Sequence, residues 1–227
     1  MARAEIEALH QEGRLPILVG GTGLYIRILL DGIAPVPPID AAVRRQVRDA
    51  PGDDNRRQLE QLDADAASRL NPRDRARTER ALEVVLSTGR TLKDWQAARS
   101  GGIGESIALR PLILLPPRKW LYARCDERFA AMVDDGAVAE VDALLARKLN
   151  PRLPAMRAIG VPELAAYLGG KLSMEAAVAA GQQATRRYAK RQYTWFAHQP
   201  PAEWPRFEEP LDEVSISVAL ELLDVNA

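Results

Sequence analysis

Leu15-Pro16-Ile17-Leu18-Val19-Gly20-Gly21-Thr22-Gly23-Leu24-Tyr25 decides how the rest of the chain is read. The run from Leu15 to Val19 is apolar and carries the β-branched Ile17 and Val19, which predicts a buried strand of a parallel sheet. Leu24 to Leu30 is apolar enough to predict a packed helix. Strand, glycine turn and helix in this order aim backbone N–H groups at an anion. The glycines let the backbone approach a ligand, and Thr22 places a hydroxyl at the helix start. On spacing alone, a tight turn with no ligand is equally compatible. Ile26 stands where a dinucleotide fingerprint has its third glycine, and no P-loop lysine is present.

The chain has 227 residues, enough for a full core, or for a core with a small inserted lobe. Lys plus Arg (31) equals Asp plus Glu (31), so any polyanion site must come from local clustering. Cys125 is the only cysteine, which excludes an internal disulfide and a cysteine metal cluster. With only His10 and His198, a histidine-rich metal site is not expected either. No apolar run reaches membrane-spanning length, and the N-terminus lacks signal-peptide form. A cytoplasmic protein without membrane attachment is expected.

Outward from the opening stretch, residues 2–12 predict a polar helix that stops at Gly13. A surface helix followed by one buried strand is an odd beginning, because a parallel strand needs neighbours on both sides. The order of elements suggests that preceding strands are missing. Gly32-Ile33-Ala34-Pro35-Val36-Pro37-Pro38 is a stiff linker. From Asp40 to about Ser100 the chain turns helical and arginine-rich, with Asp40 as a helix N-cap. Pro51 to Asn55 predicts a turn or loop. Asn71 is expected to cap a helix that has Pro72 at its first position and Gly89 after its end. Residues 36–107 are thus read as an inserted all-helical lobe in a core made of 1–35 and 108–227. That core contributes a strand over 108–115 and a helix over 118–148 broken at Gly136. Helices over 162–168 and 173–196 follow, the latter capped by Ser173. A short strand over 203–207 and a helix over 211–223 end the chain.

Two basic stripes stand out. On the 173–196 helix, Arg186, Arg187, Lys190 and Arg191 share a face with Gln183 and Thr194, while Ala184, Tyr188, Gln192, Trp195 and Phe196 fall opposite. Close like charges repel by a few tenths of a kcal/mol per pair, which a bound polyanion would relieve. Arg73, Arg77 and Arg80 align on the helix after Pro72, and Arg44 and Arg48 pair on the lobe's first helix. An ordinary solvated face is the competing reading, since acidic residues are interspersed and arginine replaces lysine throughout. The carboxylates Asp31, Asp126 and Glu127 have no diagnostic catalytic spacing. Arg157, between Pro154 and Gly160, either reaches a phosphate or caps a neighbouring helix.

Taken together, these segments resemble the tRNA dimethylallyltransferase (isopentenyltransferase) family. The resemblance rests on Leu15 to Tyr25, on Asn71-Pro72-x-Asp74 with Arg77 and Arg80-Ala81-Leu82-Glu83, on Met156-Arg157-Ala158-Ile159-Gly160, and on Ala184-Thr185-Arg186-Arg187 through Lys190-Arg191-Gln192-x-Thr194-Trp195-Phe196. These motifs occur in the family's order across nearly the whole chain. The resemblance implies a P-loop-kinase-like α/β core with an inserted helical lobe. It also implies transfer of a dimethylallyl group from its diphosphate to the exocyclic amine of the adenosine 3′ of the anticodon. The implied partners are a tRNA anticodon arm and dimethylallyl diphosphate, with Mg²⁺ as cofactor and a monomeric enzyme. By position, Thr22 maps to the reaction channel, walled by Gly20, Gly21 and Gly23. Arg44 and the segments 76–80, 157–162 and 190–197 map to tRNA contacts, which include Arg77, Arg80, Arg157, Lys190, Arg191, Thr194 and Trp195. Arg186 and Arg187 adjoin the last segment.

The departures are specific. Family members begin with a P-loop carrying Lys-Ser/Thr and then a general-base aspartate; neither is found in this chain, which looks like the family without its first third. Pro162 and Ala197 stand where a basic residue is common. A tRNA-binding fragment without catalysis, and a P-loop nucleotide kinase relative, are the alternatives.

Overall fold

The computed structural model describes residues 1–151 and 153–223. Their contacts divide into two compact units, Met1–Ala108 and Leu109–Ala227.

In the first unit, α1 (Ala2–Gln11) precedes an extended stretch and α2 (Gly23–Asp31). The expected strand at 15–19 does not form. Leu15 (78% exposed), Ile17 (82%) and Val19 (89%) lie open to solvent. A strand exists only through its neighbours' N–H and C=O groups, and no described segment pairs with this one. An apolar run makes burial favourable but does not supply the partner.

The helical segment that follows contains α3 (Ala41–Asp49), α4 (Gly52–Leu62), α5 (Ala64–Arg69), α6 (Arg75–Thr88) and α7 (Leu92–Ala97). Asp40 caps α3 as expected, accepting from Ala42 N (2.7 Å) and Val43 N (3.0 Å). Pro51 to Asn55 is not a turn: Pro51 is the N-cap of α4, and Asp53 and Asp54 occupy its first turn. Acidic groups there suit the helix dipole, which outweighs the turn propensity of Gly52 and Asn55. The cap expected at Asn71 moves to Asp74, whose carboxylate accepts from Arg77 N (3.1 Å). Asn71 instead closes a turn by accepting from Arg73 N (2.9 Å). Gly89 ends α6 in the left-handed conformation (φ 68°), as expected. Val47, Leu59, Ala66, Ala67, Ala81 and Leu82 form the core of this bundle. Buried Asn55 is satisfied by donating to Val47 O (2.7 Å).

The two ends of the helical segment are fastened together. Ile33 N donates to Ser100 O (3.0 Å), and Ser100 N to Ile33 O (3.2 Å). Gly32 (φ 85°) and Gly102 permit the crossing: a Cβ on Gly102 would lie 2.2 Å from Leu30 O.

In the second unit, β1 (Ile113–Leu114) leads to α8 (Arg118–Met132), a π-type turn (Val133–Ala137) and α9 (Val138–Ala146). Then come α10 (Val161–Leu168), α11 (Met174–His198), β2 (Arg206–Phe207) and α12 (Ser215–Glu221). The strands expected at 108–115 and 203–207 shrink to two-residue segments that pair in parallel, Ile113 with Arg206 and Leu114 with Phe207. Gly136 makes the expected break, with φ 104° inside an otherwise helical run. Ser173 caps α11 by accepting from Ala176 N (3.2 Å). Val141, Leu164 and Ala177 form the core between α9, α10 and α11.

Candidate functional site

The glycine turn opens α2. Thr22 is its N-cap residue, but the hydroxyl makes no capping bond and the residue is exposed. The Thr22 carbonyl accepts from Tyr25 N (2.9 Å) and Ile26 N (3.3 Å). The N–H groups of Gly23 and Leu24 precede the first intrahelical bond, the position at which a helix start can meet an anion. Gly20, Gly21 and Thr22, with Ala2, Val19 and Tyr25, line an open cleft of about 270 Å³. Gly23 is buried beneath it. The expected helix start after the glycine turn forms, although no strand leads into it.

In the same unit, Arg44 is exposed on α3 and forms no ion pair with a described residue. Arg77 is exposed and, among the described residues, its ion pair is with the helix cap Asp74, at 3.4 Å. Arg80 is held differently: Glu83, only 2% exposed, lies 3.9 Å from it and accepts from Arg48 Nε at 3.0 Å. The buried carboxylate tethers Arg80 and Arg48 side by side. The Arg80-Ala81-Leu82-Glu83 sequence carries this device, but only the packing of α3 on α6 shows that Arg48 belongs to it.

In the second unit, the basic face of α11 is narrower than its sequence predicts. Arg187, Lys190, Arg191 and Thr194 are exposed, and Arg187 and Lys190 form no ion pair with a described residue. Arg186 turns away from this face, half-buried, and pairs with Asp126 of α8. The Asp126 carbonyl also accepts from Gln182 Nε2 (3.1 Å), so Arg186 serves the α8–α11 contact. Trp195 packs edge-on against Phe196, centroids 4.9 Å apart, and is half-buried. Tyr188, expected on the far side, is 40% exposed, with the Arg191 guanidinium 5.4 Å from its ring centroid. The angular position of residue 188 puts it at the border of the basic face, a signal that a two-sided division of the helix hides.

Arg157 lies on a 3₁₀ turn (Ala155–Arg157), exposed, and its side chain caps no helix among the described residues. The turn is anchored at Gly160, the N-cap of α10, whose N–H donates to Glu163 Oε2 (3.0 Å). Gly160 has φ 98°, and a Cβ there would lie 3.2 Å from the Phe129 ring. The glycine of this motif thus holds the arginine turn against the core.

Titration in the second unit is local. Burial pushes the Cys125 thiol above its ordinary range, with the neighbouring Asp126 charge adding to it. Among the described residues no group of three or more His, Cys, Asp or Glu could hold a metal ion.

Residues 1–199 match the family described as IPP transferase. The chain belongs to that family. It is 63% identical over 207 residues to a tRNA dimethylallyltransferase of Erythrobacter litoralis, covering 91% of this chain and 65% of the relative. It is 60% identical over 223 residues to the tRNA dimethylallyltransferase of Novosphingobium aromaticivorans, covering 97% of this chain and 79% of the relative. The chain therefore spans 65% of the first of these relatives, just under two thirds, and 79% of the second. Among solved structures, the tRNA isopentenylpyrophosphate transferase of Bacillus halodurans superposes with a TM-score of 0.61 at 29% identity, over 98% of this chain and 69% of that one. The mainly helical, α/β, P-loop-kinase-like class expected of this IPP transferase family member is the one its structure shares.

Proposed function

We propose that this chain provides the tRNA-gripping part and one channel wall of an enzyme that prenylates tRNA. The donor is dimethylallyl diphosphate and the acceptor is N6 of the adenosine 3′ of the anticodon. The observation that carries the reading is the exposed cation set on α11, where Arg187 and Lys190 form no ion pair with a described residue, in a chain of the IPP transferase family. Such a face gains from phosphate neutralisation, and Arg187 and Lys190 have no acidic partner among the described residues. In the reaction, the allylic C1–O bond breaks, diphosphate leaves with the bonding pair, N6–C1 forms, and N6 loses a proton. Thr22 and the N–H groups at the start of α2 stand at the diphosphate and the reacting base, stabilising the charge that grows on the leaving group. The base must leave its stack to reach them.

The helical segment 36–107 acts as an inserted lobe on a core of 1–35 and 108–227. The fastening of Ile33 to Ser100 supports this, because a lobe inserted in a core must begin and end at one place. The Mg²⁺ that the family resemblance implies finds no protein cage among the described residues, and the steps above rest on backbone donors and side chains. The protein works as a cytoplasmic monomer in this reading; no helix among the described residues is long and apolar enough to cross a membrane.

The test uses an in vitro transcribed tRNA with adenosine after the anticodon, and labelled dimethylallyl diphosphate. Label on that adenosine supports prenyl transfer. Salt-dependent tRNA binding without label marks the chain as a binding module only, and absence of both overturns the reading.

A further inference from the structure

We propose that Tyr188 is a base-stacking platform at the border of the α11 basic face. It takes an unpaired base of an RNA whose phosphates lie on Arg187, Lys190 and Arg191. The proposal rests on the RNA-binding reading above and adds how the RNA is held and which nucleotides are selected.

Around the helix, at 100° per residue, Arg191 falls between Arg187 and Tyr188. A phosphate track on the cations therefore has an aromatic ring at its edge, the side toward which a splayed base would project. The other aromatic side chains of α11 are engaged elsewhere. Tyr193 lies under the Arg118 guanidinium (4.7 Å from the ring centroid), Trp195 and Phe196 pack on each other, and all three are half-buried. Tyr188 alone among them stays 40% exposed, backed by Arg191 at 5.4 Å. An exposed tyrosine gains only a modest cation–π contact from that arginine. An RNA base on an aromatic ring gains considerably more, and any base suffices because each has a π-face. Bases inside a duplex are already stacked, so the ring favours loops over paired stems. A simple surface cation–π pair is the competing account, and it gives Tyr188 no effect on RNA.

The experiment measures binding of the full chain to a fluorescent RNA hairpin with an unpaired loop and to a blunt RNA duplex, each at several salt concentrations. Tyr188→Leu, which keeps an apolar side chain but removes the ring, is expected to weaken hairpin binding roughly 10-fold. It leaves duplex binding and the salt slope unchanged, and Tyr188→Phe binds both RNAs as the unaltered chain does. Arg187→Ala, by contrast, lowers the salt slope by about 1 on both RNAs. Unchanged hairpin binding by Tyr188→Leu, or equal loss on hairpin and duplex, overturns the stacking role alone. No salt-dependent binding of either RNA by the unaltered chain overturns the RNA-binding reading, and the stacking role with it.

Discussion

A Cβ placed on Gly181 would lie 2.0 Å from Phe129 Cζ, so α11 crosses α8 at a distance that only glycine allows. Phe129 is 4% exposed and also touches the site of a Cβ on Gly160. One ring thereby sets the seat of the basic helix and of the Arg157 turn.

In an unencumbered helix, Gly→Ala stabilises by about 1 kcal/mol. Gly181→Ala is expected to do the reverse, destabilising by about 1–3 kcal/mol through overpacking. In a Phe129→Ala background the clash is gone, and the same change becomes neutral or stabilising. Urea unfolding of the four proteins in this cycle measures the change of sign; additive effects would refute the contact.

Gly102 and Gly32 carry the backbone crossing that fastens the helical segment. Gly102→Ala drives a Cβ against Leu30 O and Gly32 N, which are main-chain atoms that cannot rotate aside. A loss of about 3 kcal/mol is expected. Gly13→Ala is the control: it has a positive φ but open space, and only the local strain of about 1 kcal/mol applies. Thermal unfolding ranks the two, and amide exchange at Ile33 and Ser100 rises in the first variant only.

The Glu83 carboxylate is buried while Arg48 is reached by solvent. Arg48→Ala leaves the buried charge only the longer contact to Arg80, at 3.9 Å, whereas Glu83→Gln leaves two cations free to hydrate. Arg48→Ala is therefore expected to cost more, about 2 kcal/mol, less than a fully buried pair would. If Glu83→Gln proves the more damaging of the two in chemical denaturation, the tether is misassigned.

Asp40 has its pKa lowered by the hydrogen bonds from Val43 N and Ala42 N. A carboxylate with a depressed native pKa stabilises the fold fully above its unfolded pKa, near 4. That contribution fades as pH falls from there through the lowered native value. Asp40→Asn retains a cap without this titration, so the stability difference between the two proteins should shrink on acidification through that window. A difference independent of pH would contradict the cap.

Thr22 makes no capping bond, so Thr22→Ala is expected to change stability by less than about 0.5 kcal/mol. If it stands at the diphosphate and the reacting base, the same change in the enzyme of which this chain is part abolishes prenyl transfer and leaves tRNA binding intact. Unchanged transfer would remove Thr22 from the reaction channel.

Much of this protein was legible as local sequence. Asp40, Ser173, Gly89 and Gly136 each act within one turn of themselves, and each does what its chemistry dictates at that position. Family membership was legible too, because ordered motifs survive without coordinates. The helix start after the glycine turn was legible for the same reason: glycine freedom and a helix start are short-range properties.

Only tertiary structure decided the rest. Leu15 to Val19 reads as a strand, yet strand formation depends on a partner that local sequence cannot name, and the run lies exposed. Asn71 and Asp74 are both good caps, and the competition between an Asx turn and a helix start was settled by three-dimensional context. Arg186 left the basic face because Asp126 lies across from it, and Tyr188 joined that face because the buried seat of α11 is set by Phe129 against Gly181. Charge and ring are written in the sequence; which way a helix turns them is fixed by close packing against its neighbour.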